Sequence, residues 1–236
     1  QTFLYVEAAD YSWQFTDNDF ELPRQIELSD EERQLVKSNN SFAFSLFRQV
    51  RSDDDCLLSP LSITCALGML NNGAHGQTQQ EIDQVLGFGE AGPDAINRFC
   101  RKLMTESGTL DPATRVLAAN TIYMNQPYVL WPQFVQQAND YYDAQPETRD
   151  FRDGETCGVI NQWASDHTEG MVEEVLKEDE FNVDAVSYLL NALYFKGAWA
   201  RKFDADNTHD ESFNGGPTVP MMHIPGSEYG KGEKFQ

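Results

Sequence analysis

Positive charge is scarce in this chain: 17 lysines and arginines stand against 38 aspartates and glutamates in 236 residues, a formal net charge of −21. A surface of that sign repels phosphate backbones and anionic lipid, so neither nucleic acid nor a membrane surface is expected as a partner. Long apolar runs are also lacking, and no stretch approaches the roughly 20 residues that a bilayer-spanning helix needs. The four cysteines, Cys56, Cys65, Cys100 and Cys157, include no C-x-x-C pair and no matching histidine spacing, which argues against zinc and dithiol redox chemistry. All four read as small core residues. His75, His167, His209 and His223 lack metal-ligand spacing, and none stands beside an activated nucleophile. No metal, cofactor or catalytic residue is therefore assigned. Residues 87–92, GFGEAG, have G-x-G-x-x-G spacing, but they follow a helical pattern rather than a strand and run into Pro93, unlike a dinucleotide loop. Acidic runs such as Glu173-Glu174 and residues 178–180 are what the solvated face of so acidic a chain carries.

What is present suffices for a core: 40% of the residues are hydrophobic and 12% aromatic. The chain begins at Gln1 without a methionine, so any targeting segment is expected to be gone already. Residues 1–28 are acidic and carry Tyr5, Tyr11, Trp13, Phe15 and Phe20 without a period, as a leader or tether would, which leaves residues 29–236 for the domain. Ser29-Asp30-Glu31-Glu32 is a capping box, continued by an amphipathic stripe of Leu35, Phe42, Ala43, Leu46, Phe47 and Val50 and stopped by the acids at residues 53–55. Cys56-Leu57-Leu58 predicts a short strand.

Residues 57–82, LLSPLSITCALGMLNNGAHGQTQQEI, organise the rest. Ser59 is placed to cap a helix whose first residue is Pro60, because a missing N–H costs nothing there. Leu61, Ile63, Cys65, Ala66, Leu67, Met69 and Leu70 cover its whole circumference, so the helix is expected to be enclosed. Asn72-Gly73 predicts a left-handed cap, and Thr78 with Glu81 a capping box for a helix over residues 79–86. Further helices are expected over residues 94–105, after Pro132 (Trp131, Phe134, Val135, Ala138, Tyr141, Tyr142), and around Val159, Ile160, Trp163 and Ala164, ending at Gly170.

Two stretches read as strands buried on both faces, residues 116–125 and residues 185–195 (AVSYLLNALYF). Asn191 interrupts the second. A buried asparagine costs about 2 kcal/mol or more unless it is hydrogen-bonded. The candidate partners are Ser59 and Ser62 at the start of the enclosed helix; the alternative is water or backbone.

These motifs resemble the serpin family. The likeness runs through NNSFAFSLF at residues 39–47, SPLSI and NNGAHGQT, AANTIYM at residues 118–124, Tyr141-Tyr142, INQW with TEG, NALYFKGAW at residues 191–199, Phe203, Phe213 and VPMM at residues 219–222. The resemblance implies an α+β fold, with a large antiparallel sheet surrounded by helices and a smaller second sheet. It also implies a suicide-substrate inhibitor rather than an enzyme: a target serine or cysteine protease cleaves an exposed reactive-centre loop, which inserts into the large sheet and traps the protease. Ser59, Pro60, Ser62 and Asn191 match the family's shutter, and Trp199 matches the breach where insertion begins.

Asp55 stands where the family usually has asparagine. The chain stops at Lys234-Phe235-Gln236, ahead of the family's remaining strands and its reactive loop, so the reactive bond is expected outside it and the remainder of the same domain is an expected partner. Residues 1–236 alone are expected to be aggregation-prone or molten, with apolar faces and strand edges uncovered. The competing function is a non-inhibitory serpin serving as carrier, chaperone or storage protein. The acidic leader fits a secreted or extracytoplasmic, bacterial protein. Asn39-Asn40-Ser41 matches a glycosylation sequon but falls within a predicted helix.

Overall fold

The computed structural model describes residues 24–52, 56–199 and 203–223. Most of the expected leader, the acids at residues 53–55 with Asp55, and the end at residues 234–236 lie outside the described residues. The chain divides into two compact units, Gln1–Phe195 and Lys196–Gln236.

In the first unit the capping box forms as predicted. Ser29 Oγ accepts from the Glu32 N–H, and Glu32 Oε2 accepts from the Ser29 N–H, opening α1 (Asp30–Val50). The Ser29 N–H, together with the ammonium of Lys102, holds the Glu32 carboxyl below its ordinary range against the opposing effect of partial burial. Lys102 Nζ also donates to the Glu27 carbonyl, and the Arg24 N–H donates to Leu110 O at 2.8 Å. The last residues of the expected leader are thus tied to the domain.

Ser59 caps α2 (Pro60–Asn71), with Pro60 as its first residue. None of the twelve residues of α2 is exposed, as its all-round apolar pattern requires. Cys65 and Met69 pack with Leu86 of α3 (Gln77–Leu86), with Ile96, Phe99 and Cys100 of α4 (Gly92–Ser107), and with Phe134, Ala138 and Tyr142 of α5 (Pro132–Tyr142).

Several local expectations are corrected. Asn72 remains right-handed at φ −67°, because its own amide donates to the Gly68 and Met69 carbonyls and no left-handed residue is needed to satisfy the helix end. The positive-φ residue comes later, at Gly76 (φ 62°, ψ −126°), which starts α3 directly. Thr78 is therefore inside the helix, and the Glu81 carboxylate accepts from Gln77 instead of capping. Residues 56–58 form no strand; Leu57 is 100% exposed and Cys56 is exposed rather than buried, with no neighbouring strand among the described residues to pair with. Trp131 lies just before α5 and faces solvent.

The other three cysteines are free and buried. The adjacent Cys65 thiol and burial push the Cys100 thiol well above its usual range, and burial with nearby Glu178 and Glu174 raises Cys157. A thiol must be reached by the reagent to react, so the buried Cys65, Cys100 and Cys157 are expected to stay unmodified by a maleimide in the native protein and to react once urea unfolds it. Modification of any of them at the unfolded rate in native buffer would contradict this packing.

The sheet has the order β2-β1-β3, with β1 (Thr114–Asn125) in the centre. Its partner β2 (Glu147–Arg149) is parallel, Tyr123 opposite Glu147, and α5 makes the crossover that parallel pairing demands. On the other side, β3 (Ser187–Gly197) runs antiparallel. The Asn125 N–H reaches Val186 O while Asn120 reaches Asn191, so residue numbers rise along one strand as they fall along the other. Ile122 joins the helical core. Its neighbour Tyr123 points to the opposite face, where it meets Phe151 and, from α6 (Thr156–Asp166), Ile160. Helices thus cover both faces of the centre.

The expectation that β3 is buried on both faces holds only in part. Beyond Asn191 it alternates, with Ala192 and Tyr194 buried and Leu193 and Phe195 37% and 66% exposed. Among the described residues β1 alone pairs with it, so one edge and one face lack neighbours. The sequon residue Asn39 is buried and its amide donates to Thr64 Oγ1 at 2.6 Å, which leaves no free nitrogen for a glycan in the folded chain.

The second unit contains a separate antiparallel hairpin of β4 (Thr208–Ser212) and β5 (Thr218–Met222).

Candidate functional site

The predicted site residues come together as two pairs. At the start of α2, the hydroxyls of Ser59 and Ser62 lie 2.9 Å apart, and Ser59 Oγ also accepts the Ser62 N–H. Both are half-buried, held there by Pro60 and the enclosed helix that follows. One hydroxyl proton is shared along this contact, which leaves the other free to turn toward a further acceptor.

The second pair spans the seam between β1 and β3. Asn191 Nδ2 donates to Asn120 Oδ1 at 2.7 Å. Asn120 is buried, and its own amide nitrogen points to Tyr142 O at 3.3 Å and to Met104 Sδ at 3.4 Å. Asn191 Oδ1 is buried and has no hydrogen-bond partner among the described residues. A buried carbonyl without a donor is costly, so this atom marks an acceptor with unused capacity on a strand that has one unpaired edge among the described residues. The two hydroxyls and Asn191 make no hydrogen bond to one another among the described residues; Asn120 is the partner that sequence reasoning missed. Its signal was present, since AANTIYM places an asparagine in the middle of an interior strand, where it needs a partner as much as Asn191 does.

A further buried polar group stiffens the helices behind the seam. Asn72 and Asn97 exchange amide hydrogen bonds at 2.8 and 2.9 Å, and the Tyr142 hydroxyl donates to Asn97 Oδ1 at 2.7 Å. Burial and the neighbouring Cys100 push the Tyr142 phenol far above its ordinary range, so it acts only as a neutral donor. Tyr142 thus contributes its hydroxyl to this network and its backbone carbonyl to Asn120.

Trp199, in the second unit, is 64% exposed and meets the Phe203 ring edge-on at 5.4 Å. No group of three or more residues suited to a metal occurs among the described residues, and no described helix is long and apolar enough to cross a membrane. What the arrangement offers is a strand seam joined by exchangeable hydrogen bonds.

Comparison with known proteins agrees with the motifs. A family model described as Serpin (serine protease inhibitor) matches residues 37–234. Leukocyte elastase inhibitor of Xenopus tropicalis is 34% identical over 199 residues, covering 80% of this chain and 52% of that protein. Corticosteroid-binding globulin of Oryctolagus cuniculus is 32% identical over 200 residues, again with 80% and 52% covered. The solved structure of human thyroxine-binding globulin superposes with a TM-score of 0.74 at 25% identity, over 82% of this chain and 55% of that one. The chain spans about half the length of the curated relatives it matches. From its sequence motifs, its fold and these matches, the chain belongs to the serpin family.

Proposed function

We propose that this chain is the N-terminal part of an inhibitory serpin, a suicide substrate rather than a catalyst, whose target is a serine or cysteine protease. The supporting observation is the β1–β3 seam: a polar pair, Asn120 and Asn191, lies where an apolar contact would pack more simply, and among the described residues Asn191 keeps a buried acceptor open on a strand with one unpaired edge. Hydrogen bonds that can change partners let a sheet part and reclose. In this reading Ser59, Pro60, Ser62 and Asn191 form the shutter, Trp199 marks the breach, and the remainder of the domain brings the strands and the reactive loop. The acidic composition of residues 1–23, ahead of the segment tied to the domain, supports a secreted or extracytoplasmic location.

A non-inhibitory carrier is the second reading, favoured by two relatives whose names denote binding globulins, for corticosteroid and for thyroxine. Incubating the full-length protein with a panel of serine and cysteine proteases separates the two. The inhibitory reading expects a complex with at least one protease that survives SDS; cleavage of the loop without any such complex would overturn it in favour of the carrier.

A further inference from the structure

The chain contains two Asn-Gly pairs, and the fold treats them oppositely. Asparagine before glycine is chemically labile, because the glycine nitrogen can reach the side-chain amide carbon and no Cβ obstructs its approach. Whether it does so depends on what holds the two groups.

Asn72-Gly73 is held. Asn72 is helical at φ −67°, its Nδ2 donates to Asn97 Oδ1 and to Gly68 O, its Oδ1 accepts from Asn97 Nδ2, and the Gly73 N–H donates to Leu70 O at 2.9 Å. Nucleophile and leaving amide are both occupied, and the surrounding core would have to open before they could meet.

Asn214-Gly215 is not held. The pair forms the tip of the β4–β5 hairpin, with φ of 50° and 74°, and the turn is closed by the Gly216 N–H donating to Phe213 O at 2.8 Å. Two consecutive positive φ angles make this a type I′ turn, the one for which Asn-Gly is the preferred pair. Residues 213–217 are all exposed, and the strands on either side are mostly exposed too, so no core packing fixes the tip. Among the described residues, neither the Asn214 side chain nor the Gly215 N–H makes a hydrogen bond.

We propose that Asn214 is a site of spontaneous deamidation. The Gly215 nitrogen attacks Asn214 Cγ; the new N–Cγ bond forms as the Cγ–Nδ2 bond breaks, and the amide nitrogen leaves as ammonia with the proton that Gly215 gives up. Water then opens the succinimide at one or other carbonyl, giving aspartate or isoaspartate. One water is consumed, one ammonia is released, a negative charge is gained and no electron is transferred. The charge appears close to Asp210 and Glu211, in a chain already at −21. Isoaspartate adds one atom to the main chain inside the tight Phe213–Gly216 turn, so the bonds that close the tip, Gly216 N–H to Phe213 O and Phe213 N–H to Pro217 O, are disturbed first and the pairs Ser212–Thr218 and Glu211–Val219 next. The modified tip is also a substrate for the class of enzyme that methylates isoaspartyl carboxylates.

The test is to hold the full-length protein in warm, mildly alkaline buffer and follow peptides by mass spectrometry, with methyl transfer by an isoaspartyl methyltransferase as an independent readout. The peptide carrying Asn214 is expected to gain the amide-to-acid mass and to accept methyl groups. Asn72 is expected to convert at least about tenfold more slowly, because several hydrogen bonds must open first. The Asn214→Gln variant should lose both signals at this position. An unchanged Asn214 after a free peptide of the same sequence has converted would overturn the proposal, and so would equal rates at Asn72 and Asn214.

Discussion

Truncating Asn120 to alanine is expected to destabilise the protein by about 3 kcal/mol, and truncating Asn191 by only about 1 kcal/mol. Asn120 is buried and has a role on both sides: it accepts from Asn191 and donates to the Tyr142 carbonyl. Removing it strands two groups and opens a cavity between β1 and α5. Asn191 is half-buried, and its Oδ1 already lacks a partner among the described residues, so its removal gives up one hydrogen bond and leaves Asn120 Oδ1 without a donor but eliminates one unsatisfied atom in exchange, and the number of stranded groups does not rise. Urea unfolding of the two variants and of the double variant reads this directly. The double variant should lose less than the sum of the two, as contacting residues do. Equal losses from the two single variants would show that the Asn191 carbonyl has another partner, supplied by the rest of the domain, and would remove the asymmetry on which the proposed shutter rests.

Gly68→Ala is expected to destabilise by about 2 kcal/mol despite the better helix propensity of alanine, which alone would stabilise α2 by about 1 kcal/mol. A Cβ at position 68 would lie 2.8 Å from the Tyr142 hydroxyl, 3.0 Å from Ile96 Cγ2 and 3.6 Å from Cys100 Sγ. All three neighbours are fully buried. Tyr142 cannot retreat without stretching its hydrogen bond to Asn97, so the clash is relieved only by separating α2 from α4 and α5. Gly68→Leu should leave no cooperative unfolding transition. The pair Gly68→Ala with Tyr142→Phe is the sharper measurement. Deleting the hydroxyl removes the shortest contact, and Asn97 Oδ1 still accepts from Asn72, so the double variant should recover part of what Gly68→Ala loses. A stabilising Gly68→Ala would mean that these three helices do not pack as described.

The elements themselves were legible in the sequence because each has a local chemical reason. Ser29 with Glu32, and Ser59 before Pro60, announce helix starts whose orphan N–H groups must be satisfied by residues within one turn. The enclosed α2 was legible because apolar residues all round a helix have no solvent side. What failed was whatever depends on a neighbour distant in sequence. Leu193 and Phe195 are as apolar as Ala192 and Tyr194, and nothing in the strand says that only one of its faces is covered. Cys56 and Leu57 look like core residues for the same reason. Thr78 with Glu81 has the spacing of a capping box, but Gly76 makes one unnecessary, since a glycine at positive φ turns the chain into α3 without any side-chain bond. At the site, Asn191 stands out as a polar residue in an apolar strand, but its partner Asn120 lies on another strand, and nothing local to either residue says that the two strands are neighbours.

The strand order has a consequence for how the chain assembles. Pairing β1 with β2 closes a short loop: Thr121 reaches the carbonyl of Gln145, 24 residues on. Bringing β3 to the other edge closes a longer one, since Asn120 and Asn191 are 71 residues apart. The entropy of loop closure makes the second contact costlier by about 1 kcal/mol, and synthesis from the N-terminus delivers β2 before β3 in any case. The β1–α5–β2 unit therefore has its pairing available while the opposite edge of β1 is still bare. The seam that carries both asparagines is the later of the two to close.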